Sequence, residues 1–192
     1  MSKIAFIFPG QGAQKTGMGK DFYEQSQRAA EIYDAASKRL KEEMEIDIRT
    51  LCFDENDKLD QTAYTQAALV TTCLAMARTL EEKGVRADVT AGLSLGEYCA
   101  IAVAGGMSDL DAVWAVRKRG VLMEEAVPTG VGAMAAVLGL SAEQIEKVTE
   151  EIKGVTVANY NCPGQVVITG KRTVWMRQKK SYWSVVPREY FR

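Results

Sequence analysis

The stretch Val89-Thr90-Ala91-Gly92-Leu93-Ser94-Leu95-Gly96-Glu97-Tyr98 limits the fold more than any other part of the chain. A short β-prone run stops at Gly92, Ser94 follows, Gly96 comes two residues later, and an apolar helical pattern begins. This is Gly-x-Ser-x-Gly between a strand and a helix, the context of a nucleophile elbow. A serine on so tight a turn has its hydroxyl lifted out of the sheet. The first turn of the helix then aims free N–H groups at developing negative charge. The plainer reading of the same residues is a Gly-Ser turn in which Ser94 is an ordinary helix N-cap.

A chain of 192 residues with 47% hydrophobic residues can bury the core of one domain, or of one and a half. No apolar run is long enough to span a bilayer. Met1-Ser2-Lys3 leads directly into a strand-like run, which predicts no signal peptide. The cysteines Cys52, Cys73, Cys99 and Cys162 form no Cys-x-x-Cys pair, which favours reduced thiols and a cytoplasmic location over a disulfide framework or a metal site. The formal charge of −1 gives no reason to invoke nucleic acid. The chain contains no histidine, so no imidazole within it can act as a base for Ser94.

In chain order, Lys3–Phe8 reads as a buried strand ending in the glycine-rich turn Pro9-Gly10-Gln11-Gly12-Ala13-Gln14. That turn is a phosphate cradle, a plain strand-to-helix turn, or a loop whose backbone amide supplies half of an oxyanion hole. The first lacks the Gly-Lys-Ser/Thr that P-loop spacing requires. Phe22 to Glu45 reads as one charged helix, Phe53–Lys58 as a polar loop, and Gln61 to Lys83 as a long apolar helix stopping at Gly84. The elbow helix, Leu95 to Ala104, stops at Gly105-Gly106, and Ser108–Asp111 caps a helix running to Ala126. Ala115, Arg119, Leu122 and Ala126 share one face of that helix; Leu110, Val113, Trp114, Arg117 and Val121 share another. Both faces look buried, and a buried guanidinium calls for an anionic partner, either a structural carboxylate or a substrate.

These residues together resemble one family. Phe8-Pro9-Gly10-Gln11-Gly12-Ala13-Gln14, Thr65-Gln66, Gly92-x-Ser94-Leu95-Gly96-Glu97-Tyr98, Arg119-Gly120-x-Leu122-Met123 and Asn161-Cys162-Pro163-Gly164-Gln165-Val166-Val167-Ile168 closely resemble the malonyl-CoA:acyl carrier protein transacylases, in unbroken order to about residue 170. The resemblance implies an α/β fold. Its large α/β-hydrolase-like domain, a parallel sheet flanked by helices and incomplete here, would occupy residues 1–127. An inserted ferredoxin-like small domain would occupy residues 128–170. The resemblance implies that Ser94 takes malonyl from coenzyme A as an ester and passes it to the phosphopantetheine thiol of acyl carrier protein in fatty-acid synthesis. Gln11 and Leu95 would provide oxyanion-hole amides. Arg119 would hold the free carboxylate of malonate, which a guanidinium fits in bidentate fashion. Gln66 and Asn161 would line the pocket. It implies a monomer with no cofactor or metal beyond the coenzyme A thioester, and no nucleic-acid or membrane partner. Two departures stand out: Leu93 occupies the position before the serine where the family usually has histidine, and the family's catalytic histidine lies beyond the matching region. A serine hydrolase or thioesterase with the same elbow, and a non-catalytic module that binds acyl-CoA or carrier protein, remain alternatives.

Within residues 128–170, Gly132–Leu140 reads as a strand, Ser141 opens a helix to Ile152 with a capping box shifted by one, and Val155–Tyr160 and Gln165–Thr169 read as strands, giving β-α-β-β. The composition then breaks. Residues 171–192 carry seven of the 24 Lys and Arg, one of the 25 Asp and Glu, and two of the three Trp, a net +6 against −7 for residues 1–170. Such a tail is a nucleic-acid or membrane arm, or it is aberrant. Back-translated from Thr173 and regrouped from the third codon base, it permits S-V-D-A-A-E-E-V-L-L-E-R-G-A-K-R-V-F-P. That string is an amphipathic helix, a glycine stop and a strand, the two elements a ferredoxin-like unit still lacks. The expectation is a one-base frameshift near codons 170–173, and a 192-residue product with an uncovered apolar surface and negligible activity.

Overall fold

The computed structural model describes residues 3–174, which divide into two compact units, the first ending at Ala126 and the second beginning at Val127. The first unit contains β1 (Ala5–Phe8), α1 (Lys20–Gln25), α2 (Gln27–Leu40), α3 (Ile48–Phe53), α4 (Thr62–Glu82), β2 (Val89–Gly92), α5 (Gly96–Val103) and α6 (Asp109–Ala126). The second contains β3 (Gly132–Leu138), α7 (Ala142–Glu150), β4 (Val155–Cys162) and β5 (Gln165–Lys171).

β1 and β2 pair in parallel, from Ala5 opposite Val89 to Phe8 opposite Gly92. A parallel pair needs a crossover, and α1 to α4 supply it. The register sets the Pro9–Gln14 turn and the elbow side by side at the carboxyl ends of both strands. β1 is not the fully buried strand its apolar run suggests. Phe6 and Phe8 are in the core, while Ile7 is 70% exposed and Val89 on β2 is 55% exposed. The described helices cover only one face of the pair, so the strand alternates instead.

α4 is the central helix, buried on nearly every side. Two of its hydroxyls bond its own backbone, Thr72 Oγ1 donating to Ala68 O at 2.9 Å and Thr79 Oγ1 to Ala75 O at 2.8 Å, while the buried Thr71 Oγ1 has no partner among the described residues. α2 lays Ala29, Ile32, Tyr33, Ala36 and Leu40 into this core at helical spacing, and Tyr33 bonds Thr72 at 2.7 Å. α6 packs closely on α4 because Gly120 has no side chain; a Cβ there would lie 2.7 Å from Thr62 O. Arg78 of α4 donates to both carboxylate oxygens of Asp109, at 3.0 and 2.7 Å, and to Ala102 O at 3.0 Å, joining α4, α5 and α6.

The single helix expected over Phe22–Glu45 is broken at Ser26, whose extended backbone lets its hydroxyl accept from Ala29 N as the N-cap of α2. α3 goes unread in the sequence pattern; its signal is Asp47, whose carboxylate accepts from Arg49 N at 2.9 Å. α6 is buried along Ala112, Val113, Val116, Arg117 and Gly120 only, and Leu122 is 63% exposed.

In the second unit the sheet order is β3-β5-β4, all antiparallel, with Val137, Ile145, Val166 and Ile168 forming a small core under α7. Ser141 and Gln144 form an unshifted capping box: Ser141 Oγ accepts from Gln144 N at 3.3 Å and Gln144 Oε1 accepts from Ser141 N at 2.9 Å. The readings of residues 175–192 as a basic arm or a shifted frame lie outside the described residues. Among the described residues, no helix is long and apolar enough to cross a membrane.

Candidate active site

Two glycines make the elbow possible. A Cβ on Gly92 would fall 2.0 Å from Gly96 C, and one on Gly96 would fall 2.3 Å from Phe8 O. Backbone therefore touches backbone at both places, and any side chain would force the turn apart. Between them Ser94 has φ 49°, the only positive φ at a non-glycine position among the described residues. Holding serine there costs on the order of 1–2 kcal/mol. The strain is maintained by Leu93 N donating to Phe8 O at 3.1 Å and Gly96 N to Leu93 O at 3.0 Å. Ser94 is not the helix N-cap: that position falls at Leu95, and no side chain caps it. The Ser94 hydroxyl instead accepts from Arg119 Nη2 at 3.2 Å. Leu93, the residue before it, is 48% exposed.

Arg119 reaches the serine from α6 and is steadied by α4: its Nη1 donates to Gln66 Oε1 at 2.7 Å. Gln66 is fully buried, and its amide nitrogen faces Met123 Sδ at 3.3 Å and Gln11 Oε1 at 3.5 Å. Gln11 Nε2 in turn donates to Thr62 Oγ1 at 3.0 Å. Ser94, Arg119, Gln66 and Gln11 thus form one connected set drawn from four segments. Among the described residues, the partners of the Arg119 guanidinium are an amide oxygen and a hydroxyl, so its charge is not neutralised by a carboxylate.

The Pro9–Gln14 turn is stitched to the entrance of α4. Gly12, at φ 109°, donates its N–H to Gln14 Oε1 at 2.7 Å, and Gln14 Nε2 donates to Asp60 Oδ1 at 2.9 Å. A phosphate cradle would need that glycine N–H free. Neither the Gln11 nor the Leu95 amide makes a hydrogen bond among the described residues. Asn161 lies on β4 of the second unit, where its Nδ2 donates to Gln165 Oε1 at 2.9 Å.

The second arginine of α6 corrects the expectation that a buried guanidinium calls for an anion. Arg117 is 7% exposed and has no carboxylate partner among the described residues. Its nitrogens donate to two backbone carbonyls, Ala63 O and Glu43 O, and its plane lies 4.9 Å from the Tyr64 ring centroid. Carbonyl dipoles and a π face replace the ion. Thr62 and Met123 are the partners that sequence reasoning missed. Met123 lies one turn beyond Arg119 on α6, a spacing legible in hindsight; nothing local marks Thr62.

A profile of the acyl transferase domain matches residues 5–175. The malonyl CoA-acyl carrier protein transacylase of Bacillus subtilis (strain 168) is 50% identical over 175 residues, covering 88% of this chain and 54% of that protein. The crystal structure of malonyl CoA-acyl carrier protein transacylase from Clostridium perfringens ATCC 13124 superimposes with a TM-score of 0.83 at 39% identity, covering 96% of this chain and 58% of that one. A malonyl-transacylase in complex with a type II PKS acyl-carrier protein superimposes with a TM-score of 0.84 at 35% identity, over 96% of this chain and 60% of that one. The chain spans a little over half the length of the relatives it matches.

Proposed function

The chain belongs to the acyl transferase domain family, and on that premise we propose that its site is built to move a malonyl group from malonyl-CoA to the phosphopantetheine thiol of acyl carrier protein, in fatty-acid synthesis in the cytoplasm. The supporting observation is the guanidinium of Arg119, free of any described carboxylate and 3.2 Å from the hydroxyl of Ser94. A nucleophile beside an uncommitted cation suits an acyl group with a free carboxylate at its far end. An uncharged acyl group has no use for that cation.

In this reading Ser94 Oγ attacks the thioester carbonyl, and the amides of Gln11 and Leu95 receive the developing oxyanion. The coenzyme A thiolate leaves, and the malonyl-serine ester is then attacked by the carrier protein's thiol. Arg119 binds the malonyl carboxylate in bidentate fashion. Gln66, whose amide is spent on Arg119, aims the guanidinium rather than contacting substrate itself. Asn161 is assigned to the pocket through the family resemblance alone. The two units correspond in this proposal to the α/β-hydrolase-like domain, residues 1–127, and the ferredoxin-like insert, residues 128–170, and the enzyme works as a monomer without a cofactor.

The 192 residues contain no histidine, so the Ser94 hydroxyl has no imidazole to take its proton. Loss of a triad member removes several orders of magnitude of rate. The chain as it stands is therefore proposed to transfer malonyl negligibly. A second reading is a module that binds acyl-CoA or carrier protein without turnover. Malonyl transfer to carrier protein by the purified chain tests the proposal: turnover at the rate of an intact transacylase would overturn the inactivity, and tight carrier-protein binding without acyl-serine formation would favour the second reading.

A further inference from the structure

The glycine-rich turn after β1 is exposed from Gln11 to Ala13, whereas Gln14 at its end is half-buried. The Gln14 carboxamide joins the turn to the residues before α4: its Oε1 accepts from Gly12 N at 2.7 Å and its Nε2 donates to Asp60 Oδ1 at 2.9 Å. A carboxylate only accepts, so Asp60 decides which end of the carboxamide faces it. The nitrogen turns to Asp60, and the oxygen is left for the Gly12 N–H. Two further contacts hold Gln11 from its other sides. Its own side chain donates to Thr62 Oγ1 at 3.0 Å, and a Cβ on Gly10 would lie 3.0 Å from Leu93 O, so the turn rests against the elbow. Gln11 N itself makes no hydrogen bond among the described residues. Gly12, at φ 109°, is a position where the backbone turns at little cost, so the peptide between Gln11 and Gly12 needs a tie from outside. Nothing in the proposed acyl transfer yet uses Gln14 or Asp60.

We propose that Gln14 and Asp60 are positioning residues of the acyl transfer: the strap from Gly12 through Gln14 to Asp60 fixes the Gln11–Gly12 peptide and so holds the Gln11 N–H where the oxyanion forms. The inference rests on the proposed role of the Gln11 amide and adds the pair that keeps it in place. Neither side chain touches substrate. An oxyanion donor acts in the transition state and not on the bound thioester, so loosening it lowers the maximal rate and leaves the binding of malonyl-CoA unchanged. Deleting one such donor costs about 100- to 1000-fold in rate, and letting it drift costs less, roughly 10- to 100-fold. The polarity of the strap sets a second expectation. Gln14→Glu alone places a carboxylate against Asp60, and the two repel. With Asp60→Asn added, the new carboxylate accepts from both the Gly12 N–H and the new carboxamide, and the strap closes again with its polarity reversed.

The test reads the geometry on the 192-residue chain and the chemistry on the chain continued in the alternative reading frame from codon 173. On the first, NMR-detected exchange with solvent is expected to be slower for the Gly12 N–H than for the Gln11 N–H, and Gln14→Ala is expected to remove the difference. Equal exchange in the unsubstituted chain overturns the strap. On the second, the initial rate at which Ser94 gains a malonyl group is measured by mass spectrometry against malonyl-CoA concentration. Gln14→Ala and Gln14→Glu are each expected to lower the maximal rate by roughly 10- to 100-fold with the half-saturating concentration unchanged, and Gln14→Glu with Asp60→Asn to recover most of the loss. Circular dichroism checks folding; where Gln14→Ala does not fold, Gln14→Glu with and without Asp60→Asn makes the comparison. An unchanged maximal rate, a loss confined to the half-saturating concentration, or no recovery in the double variant overturns the inference while the malonyl-serine reading stands. No malonyl group on Ser94 of the unsubstituted continued chain overturns that reading, and the inference with it.

Discussion

Arg117 and Arg119 stand two residues apart on α6, and replacing each by methionine should separate structure from function. Methionine keeps most of the stem's packing and removes the charge. At Arg117 the loss includes two hydrogen bonds from a charged donor to buried carbonyls, Ala63 O and Glu43 O, each worth about 1.5–3 kcal/mol. Stacking on Tyr64 adds about 1 kcal/mol. Against this, the guanidinium no longer has to be desolvated, including an Nε that has no partner among the described residues, which returns about 1–3 kcal/mol. The net cost is about 3 kcal/mol. Arg119→Met leaves only the buried Gln66 Oε1 short of a partner, about 1 kcal/mol. With a urea m-value of ~2 kcal/mol/M, the midpoints fall by roughly 1.5 M and 0.5 M. Urea titration of the purified chain followed by far-UV circular dichroism reads both. Equal destabilisation by the two substitutions would make Arg119 a structural residue and remove the main support for a carboxylate-bearing substrate.

Gly96→Ala should cost more than ~3 kcal/mol or abolish soluble expression, because its Cβ would meet the Phe8 carbonyl at 2.3 Å; a thermal melt matching the unsubstituted chain would refute the backbone contact. The exposed Ile7 and Val89 should make the chain bind a hydrophobic dye, and Ile7→Lys should lower that binding while moving stability by less than ~0.5 kcal/mol; a large loss of stability would mean that Ile7 is covered in solution. Sequencing the gene through codons 165–192 and beyond should find family-like sequence continuing in a second frame. A tail encoded with no such sequence downstream would refute the frameshift.

The elbow was legible because its glycines answer a steric demand that only local residues can meet. The strand before it and the helix after it fall where the Val89–Gly92 run and the Gly105 stop put them. Ser108 at the start of α6 and Ser141 at the start of α7 were legible because capping is also local, although the α7 box proved unshifted rather than shifted by one. What needed tertiary context was not. β1 reads as buried from its composition, but which face is covered depends on helices far away in sequence. Ser26 looks like an ordinary helical residue until its hydroxyl is seen capping α2. Within the site, the serine and Arg119 came from motifs, whereas the Arg119–Gln66–Gln11–Thr62 chain of hydrogen bonds joins residues more than fifty positions apart and leaves no periodic trace. Arg117 and Arg119 look equivalent on a helical face; only the carbonyls of Ala63 and Glu43 tell them apart.

The central claim is that the hydroxyl of Ser94 accepts malonyl. The most direct measurement is mass spectrometry of the chain, continued in the alternative reading frame from codon 173, after brief exposure to malonyl-CoA and acid quench. One malonyl group on the tryptic peptide that ends at Arg117, localised to Ser94 and absent from Ser94→Ala, is the predicted result. A malonyl group on another residue, or none on a protein that folds, would contradict the account.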